Sequence, residues 1–170
     1  MKRRIFIAIN LPDAVKSKLI DYQREISSSF EEIDPVNWTR SGNLHITLDF
    51  VGDLTDEELA QLCLSTKASY SKKFAFTVNL NQITYGPPNK MPPRMIWVTG
   101  DKIKELGLTP HITLGRIKAW QFRKIDPEIR PDINREINLS FDAKSIEVME
   151  SVLKKGGPTY TVMESVPLKS

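Results

Sequence analysis

The chain has 170 residues and a formal net charge of +3 from 24 Lys and Arg against 21 Asp and Glu. That length supports one substantial core and excludes two large independent domains, and the charge is too small for a histone-like binder yet leaves RNA an acceptable partner. With 40% hydrophobic and 26% charged residues, and no run near the roughly 20 apolar residues of a membrane span, a soluble, cytoplasmic chain without membrane association is expected.

The opening MKRRIFIAIN starts with basic residues, but Asn10 and Pro12 break its apolar run and no small-residue cleavage site follows. It reads as a strand over residues 3 to 10. Val15, Leu19, Tyr22, Ile26 and Phe30 recur every three or four positions and predict a helix with one apolar stripe, opening near Asp13. EEIDPVNWTRSGN reads as irregular, and LHITLDFVG as a second strand ended by Gly52 and Asp53. Thr55 and Glu58 form a capping box before DEELAQLCLSTKASY, a helix expected to bury Leu59, Leu62 and Cys63. Cys63 is the one cysteine, which excludes an internal disulfide.

FAFTVNLNQIT, residues 74 to 84, alternates as a strand, and the proline-rich YGPPNKMPPR is a connector. MIWVTG then resembles the opening strand, and LTPHITLGRI restarts the order of the first half. PEIRPDINREI predicts a short helix interrupted at Pro131; SFDAKSIEVMESVL and TYTVMESVPL predict strands joined by a hairpin at Gly156 and Gly157. Phe6 and His45 stand 39 positions apart, Trp97 and His111 only 14. Either the second half joins its strands by a tight path, or residues are missing between Asp101 and Lys104; the spacing favours the latter.

HITL occurs twice, at residues 45 to 48 and 111 to 114, and holds the only two histidines. Strand alternation puts His45 beside Thr47 and His111 beside Thr113, with Ile46, Leu48, Ile112 and Leu114 toward the core. Asp49 is expected on the face of His45, where a carboxylate either repels phosphate or orients a neighbour. A lone His-x-Thr is more often a hydrogen-bonded strand residue, but two copies reverse that. Two imidazoles held in opposite protonation states can serve as acid and base of an in-line phosphoryl transfer, with threonine hydroxyls holding nonbridging oxygens. The residues themselves leave open which histidine is which. Two histidines and one cysteine fall short of the usual metal ligand set, so neither metal nor cofactor is expected.

These motifs, with Trp38, PRMIW at 93 to 97 and TPHITLGR, resemble the two-histidine phosphoesterase superfamily and, within it, the RNA 2',3'-cyclic phosphodiesterases, also called 2'-5' RNA ligases, over nearly the whole chain. The resemblance implies an α+β fold of two pseudo-symmetric lobes, each a mainly antiparallel sheet with outer helices, around a central cleft carrying both motifs in a single domain, residues 1 to 170. It implies metal-independent hydrolysis of RNA 2',3'-cyclic phosphate ends to 2'-phosphomonoesters, with reversible ATP-independent 2'-5' joining. Such RNA ends, those of tRNA fragments among them, are the expected partner, and a monomer is the expected state. His45 would be the proton donor, His111 the acceptor, and Arg116 a phosphate-binding partner of Thr47 and Thr113.

Alternation turns Arg116 away from His111, so a twist or bulge near Gly115 is expected. Phe50 takes the equivalent place in the first motif. Trp38, Tyr85, Trp97 and Trp120 are aromatic candidates for base stacking. Trp97 is expected in the core, which leaves Trp120, beside Arg123 and Lys124, as the better candidate. Arg94 and Lys90 could touch the RNA backbone. Two rivals remain: a phosphodiesterase for a small cyclic nucleotide or an ADP-ribose cyclic phosphate, and a nucleotide-binding or RNA-binding module without turnover.

Overall fold

RRIFIAIN forms β1 (Arg3–Asn10) and is an inner strand of a four-stranded antiparallel sheet in the computed structural model, which describes every residue from Met1 to Ser170. The fold is α+β, with a second antiparallel sheet of five strands. The chain divides into two compact units, residues 1–11, 45–78 and 141–170 in one and 12–44 and 79–140 in the other. No helix is long and apolar enough to cross a membrane.

The first unit orders its strands β3-β1-β8-β9, with β3 His45–Leu54, β8 Ser145–Lys154 and β9 Gly157–Pro167. One face of β1 packs Ile5 with Val148 and with Leu59 of α2 (Asp56–Tyr70). Burying each such side chain is worth about 1.5–3 kcal/mol. Leu62 and Cys63 only flank this cluster, half-buried, rather than lying in the core as expected. The other face packs Phe6, Ala8 and Met149, with Tyr160 against them. The capping box forms as expected: the Glu58 amide donates to Thr55 Oγ1 at 3.2 Å and the Thr55 amide to Glu58 Oε2 at 2.7 Å. Strand β3 continues two residues past Gly52, whose φ of 103° lets the backbone pass where other residues resist. The β8–β9 hairpin pairs Lys154 with Gly157, so Lys155 and Gly156 form its turn.

The second unit carries the order β2-β6-β5-β4-β7: β2 Val36–Trp38, β4 Phe76–Gly86, β5 Met95–Gly100, β6 His111–Ile117 and β7 Arg135–Ala143. Strand β2 lies where irregular chain was expected. Asp34 organises it, accepting from the Val36 amide at 2.9 Å, Trp38 Nε1 at 2.7 Å and Ser27 Oγ at 2.5 Å. Helix α1 (Asp13–Ser29) buries Val15, Leu19, Gln23 and Ile26. The predicted helix over PEIRPDINREI is absent: two prolines limit it to one 3-10 turn at Pro127–Ile129, and Arg135 already starts β7. The short helix is instead α3 (Ala119–Lys124), AWQFRK. The run SFDAKSIEVMESVL is also two strands, divided at Lys144 between the two sheets.

No helix separates β5 from β6. They are neighbours paired from Thr99 with His111 to Met95 with Arg116, and residues 101–110 close the turn through an Ile103–Leu108 bridge with Gly107 at φ 65°. The chain takes the tight path.

Candidate active site

In β3, Asn10 lies opposite His45 and Ala8 opposite Thr47, but Ile7 faces Asp49 and Phe6 faces Phe50. Leu48 has no opposite partner: it is a bulge, which adds one residue and reverses the parity beyond it. Asp49 therefore shares the face of Ile7, toward α2, and not that of His45 as alternation suggested, while Phe50 joins the face of His45. His45 is half-buried. Its Nε2 lies 2.8 Å from Thr47 Oγ1, and its ring meets Phe6 at 5.1 Å and the edge of Tyr160 at 5.2 Å between centroids.

The second motif repeats the device. In β6, Thr99 lies opposite His111 and Trp97 opposite Thr113, then Ile96 opposite Gly115 and Met95 opposite Arg116, leaving Leu114 as the bulge. The fourth letter of each HITL is thus the extra residue. Opposed residues share a face, so Arg116 rejoins the face of His111 and Thr113. The irregularity expected near Gly115 falls one residue earlier. Thr113 makes only a long 3.9 Å contact to Met95 Sδ, which leaves its hydroxyl nearly uncommitted.

Trp97 is half-buried on this same face, not in the core, and its ring lies 4.6 Å from His111 at 53°. The indole lies against Gly86 of β4, where a Cβ would come within 2.3 Å of a ring carbon. His111 is exposed by area, yet this crowding desolvates its charged form. That lowers its pKa from the ordinary 6.5, against a hydrogen bond to the Thr109 backbone that raises it. A neutral imidazole near pH 7 suits a base.

The model of the LigT-like phosphoesterase family matches residues 9–97, slightly over half of the chain and including the first motif. The chain belongs to this family. An RNA 2',3'-cyclic phosphodiesterase of Methanocaldococcus jannaschii is 24% identical across 95% of this chain and 98% of its own length. Two solved structures share the fold of this LigT-like phosphoesterase: a Thermus thermophilus protein with a TM-score of 0.80 and 23% identity, covering 98% of both chains, and Escherichia coli LigT complexed with phosphate, with 0.75 and 21%, covering 99% of both.

One supporting residue of this LigT-like phosphoesterase escaped sequence reading. Gln23 sits inside the apolar stripe of α1, 6% exposed, and its Nε2 donates to the Leu114 carbonyl at 2.9 Å and the Thr39 carbonyl at 2.8 Å. It secures the bulge residue of the second motif. Polar residues on a helical stripe carry no periodic signal, and only a glutamine among four buried positions hinted at it. Gln23→Leu should cost about 1–3 kcal/mol by stranding carbonyl groups, lowering Tm by about 2–4 °C per kcal/mol at this size; an unaltered melting curve would refute that role.

The remaining sequence candidates disperse. Trp120 is 59% exposed with Lys124 Nζ 4.9 Å from its ring centroid, and the Arg94 side chain is exposed. Trp38 is tied to Asp34, and the Tyr85 hydroxyl donates to the Pro131 carbonyl at 3.1 Å.

Proposed function

We propose that this chain hydrolyses 2',3'-cyclic phosphate ends of RNA to 2'-phosphomonoesters by metal-independent acid and base catalysis. His111 takes a proton from water as its oxygen attacks phosphorus; the bond from phosphorus to the 3'-oxygen breaks, and His45 protonates that leaving oxygen. Thr47, Thr113 and Arg116 hold the nonbridging oxygens, a guanidinium suiting a dianionic transition state because its charge is permanent and its donors are several. A 5'-hydroxyl in place of water would give 2'-5' joining by the same steps. The observation that carries this reading is the matched pair of bulged HITL strands, each presenting an imidazole and a hydroxyl on one face, the second adding Arg116. The relative named RNA 2',3'-cyclic phosphodiesterase supports it. Trp120 and Arg94 are proposed to meet the RNA body, tRNA fragments being one source of such ends, and the enzyme to act as a cytoplasmic monomer.

The deciding experiment incubates the protein, with EDTA present, with an oligoribonucleotide ending in a 2',3'-cyclic phosphate and locates the phosphate on the product. A 2'-phosphate is expected; a 3'-phosphate would reverse the leaving-group assignment, and unchanged substrate with intact binding would favour a binding module. The pH dependence has a definite sign. A base must be neutral to accept a proton, and His111 is shifted down from 6.5 chiefly by desolvation. The acid limb of kcat/KM should therefore fall below pH 6.5, and a limb above it would contradict His111 as the base.

A further inference from the structure

A pocket of about 400 Å³ opens where β4 leaves the five-stranded sheet, and neither histidine lines it. Its walls are Tyr85, Pro88, Pro93 and Pro127, flat apolar groups that offer no hydrogen bonds from their side chains apart from the tyrosine hydroxyl. That hydroxyl is already committed to the Pro131 carbonyl. Burial pushes the tyrosine pKa up to about 12, so it remains a donor at any ordinary pH. The floor is Phe122, met edge-on by Tyr85 at 5.8 Å and covered by the Arg130 guanidinium at 4.7 Å.

The rim has the opposite character. Arg130 spends its Nε on the Ile125 carbonyl at 3.1 Å, which fixes the guanidinium and leaves its terminal nitrogens for a ligand. Neither Arg130 nor Lys90 joins any of the ion pairs of the structure. Between them Asn89 stands at φ 63°, the one non-glycine residue in the left-handed region, with an amide able both to donate and to accept. Prolines at 87, 88, 92 and 93 restrict φ along the loop, so less entropy is lost when it meets a ligand.

The pocket also connects to the catalytic face. Thr84 lines it and lies opposite Trp97, which in turn lies opposite Thr113 of the second motif. Two strand spacings, about 10 Å, separate Thr84 from Thr113.

We propose that this pocket is a second-nucleotide subsite, which receives the nucleotide next to the cyclic-phosphate end of an RNA, its base between Tyr85 and the prolines and its phosphate between Lys90 and Arg130. This rests on the function proposed above and extends it: the pocket makes the enzyme select an oligoribonucleotide over a nucleoside cyclic phosphate. Planar apolar walls accept any base, so the preference concerns length rather than sequence.

The test compares kcat/KM for a nucleoside 2',3'-cyclic phosphate with that for a tetranucleotide carrying the same end. The wild-type protein should favour the tetranucleotide at least about tenfold, and Lys90→Gln/Arg130→Gln should bring the ratio near one. Because Arg130 also supports Ile125 and Phe122, Lys90→Gln alone serves as the second variant; Lys90 is exposed, and its loss should reduce the ratio about threefold. It should also lower the salt slope of tetranucleotide KM by about 0.7, the expectation for one phosphate contact on a single strand. Turnover of both substrates with a ratio near one in the wild type, or a ratio untouched by the variants, overturns the subsite and leaves the catalytic reading standing. Turnover of neither substrate overturns that reading and the subsite with it.

Discussion

His45→Ala and His111→Ala should each lower kcat for opening a cyclic phosphate by about 10²- to 10⁴-fold, the usual worth of one positioned acid or base. The two losses arise differently. Without His111 the attacking water keeps its proton, so attack is slow; without His45 the 3'-oxygen must leave as an alkoxide. If both imidazoles serve one phosphorus in one transition state, the double variant should fall well short of the product of the single effects, because groups acting as a unit do not add. Single-turnover rates on a cyclic-phosphate oligonucleotide measure this. Neither substitution should unfold the protein, since His111 is exposed and His45 half-buried, and melting curves check that. A single variant within about threefold of wild type would sink the acid and base assignment for that residue.

The next largest effect is expected at a residue with no chemistry. Gly86→Ala places a methyl group 2.3, 2.4 and 2.7 Å from three carbons of the Trp97 indole, distances at which something must move. The backbone there is tethered, Gly86 accepting from the Arg94 amide at 2.9 Å, so the indole is the part that yields. Overpacking of this kind costs typically about 1–3 kcal/mol. The indole also walls His111 at 4.6 Å, so a displaced ring should lower kcat/KM at least about tenfold. Adding Trp97→Leu separates the two consequences: it should restore Tm by making room for the methyl while leaving catalysis impaired. A Gly86→Ala protein with wild-type melting and turnover would show that the indole does not depend on this slot.

Most of the elements could be read from the sequence because they follow local rules. The stripe Val15, Leu19, Ile26, the capping box at Thr55 and Glu58, and the alternation of β4 each record a single period or a single cap. The four-letter repeat identified both histidine strands for the same reason. What escaped depends on partners distant in sequence. A bulge leaves no mark in an alternating run, so Asp49 was assigned the wrong face and the Arg116 irregularity was placed one residue late, until pairing with β1 and β5 fixed the register. Strand β2 has only three residues and is held by Asp34 and by β6. Trp97 looked like core because its neighbours Ile96 and Val98 are core; its own ring has room only because a glycine lies on the next strand. The proline-limited helix near Pro127 shows the converse error, in which helix-compatible residues were given more weight than two prolines.

The paired leucine bulges also determine where this chain can tolerate insertion or deletion. Losing one residue at Leu114 would restore strict alternation and swing the Arg116 guanidinium toward Ile96 and the core, a costly place for a charge; losing Leu48 would instead exchange Asp49 and Phe50 across their sheet. The turn over residues 101–110 has no such parity, and each doubling of a loop costs only about 0.6 kcal/mol. Lineages of this fold are thus free to lengthen or trim that turn by whole helices while the two motif strands keep a fixed count.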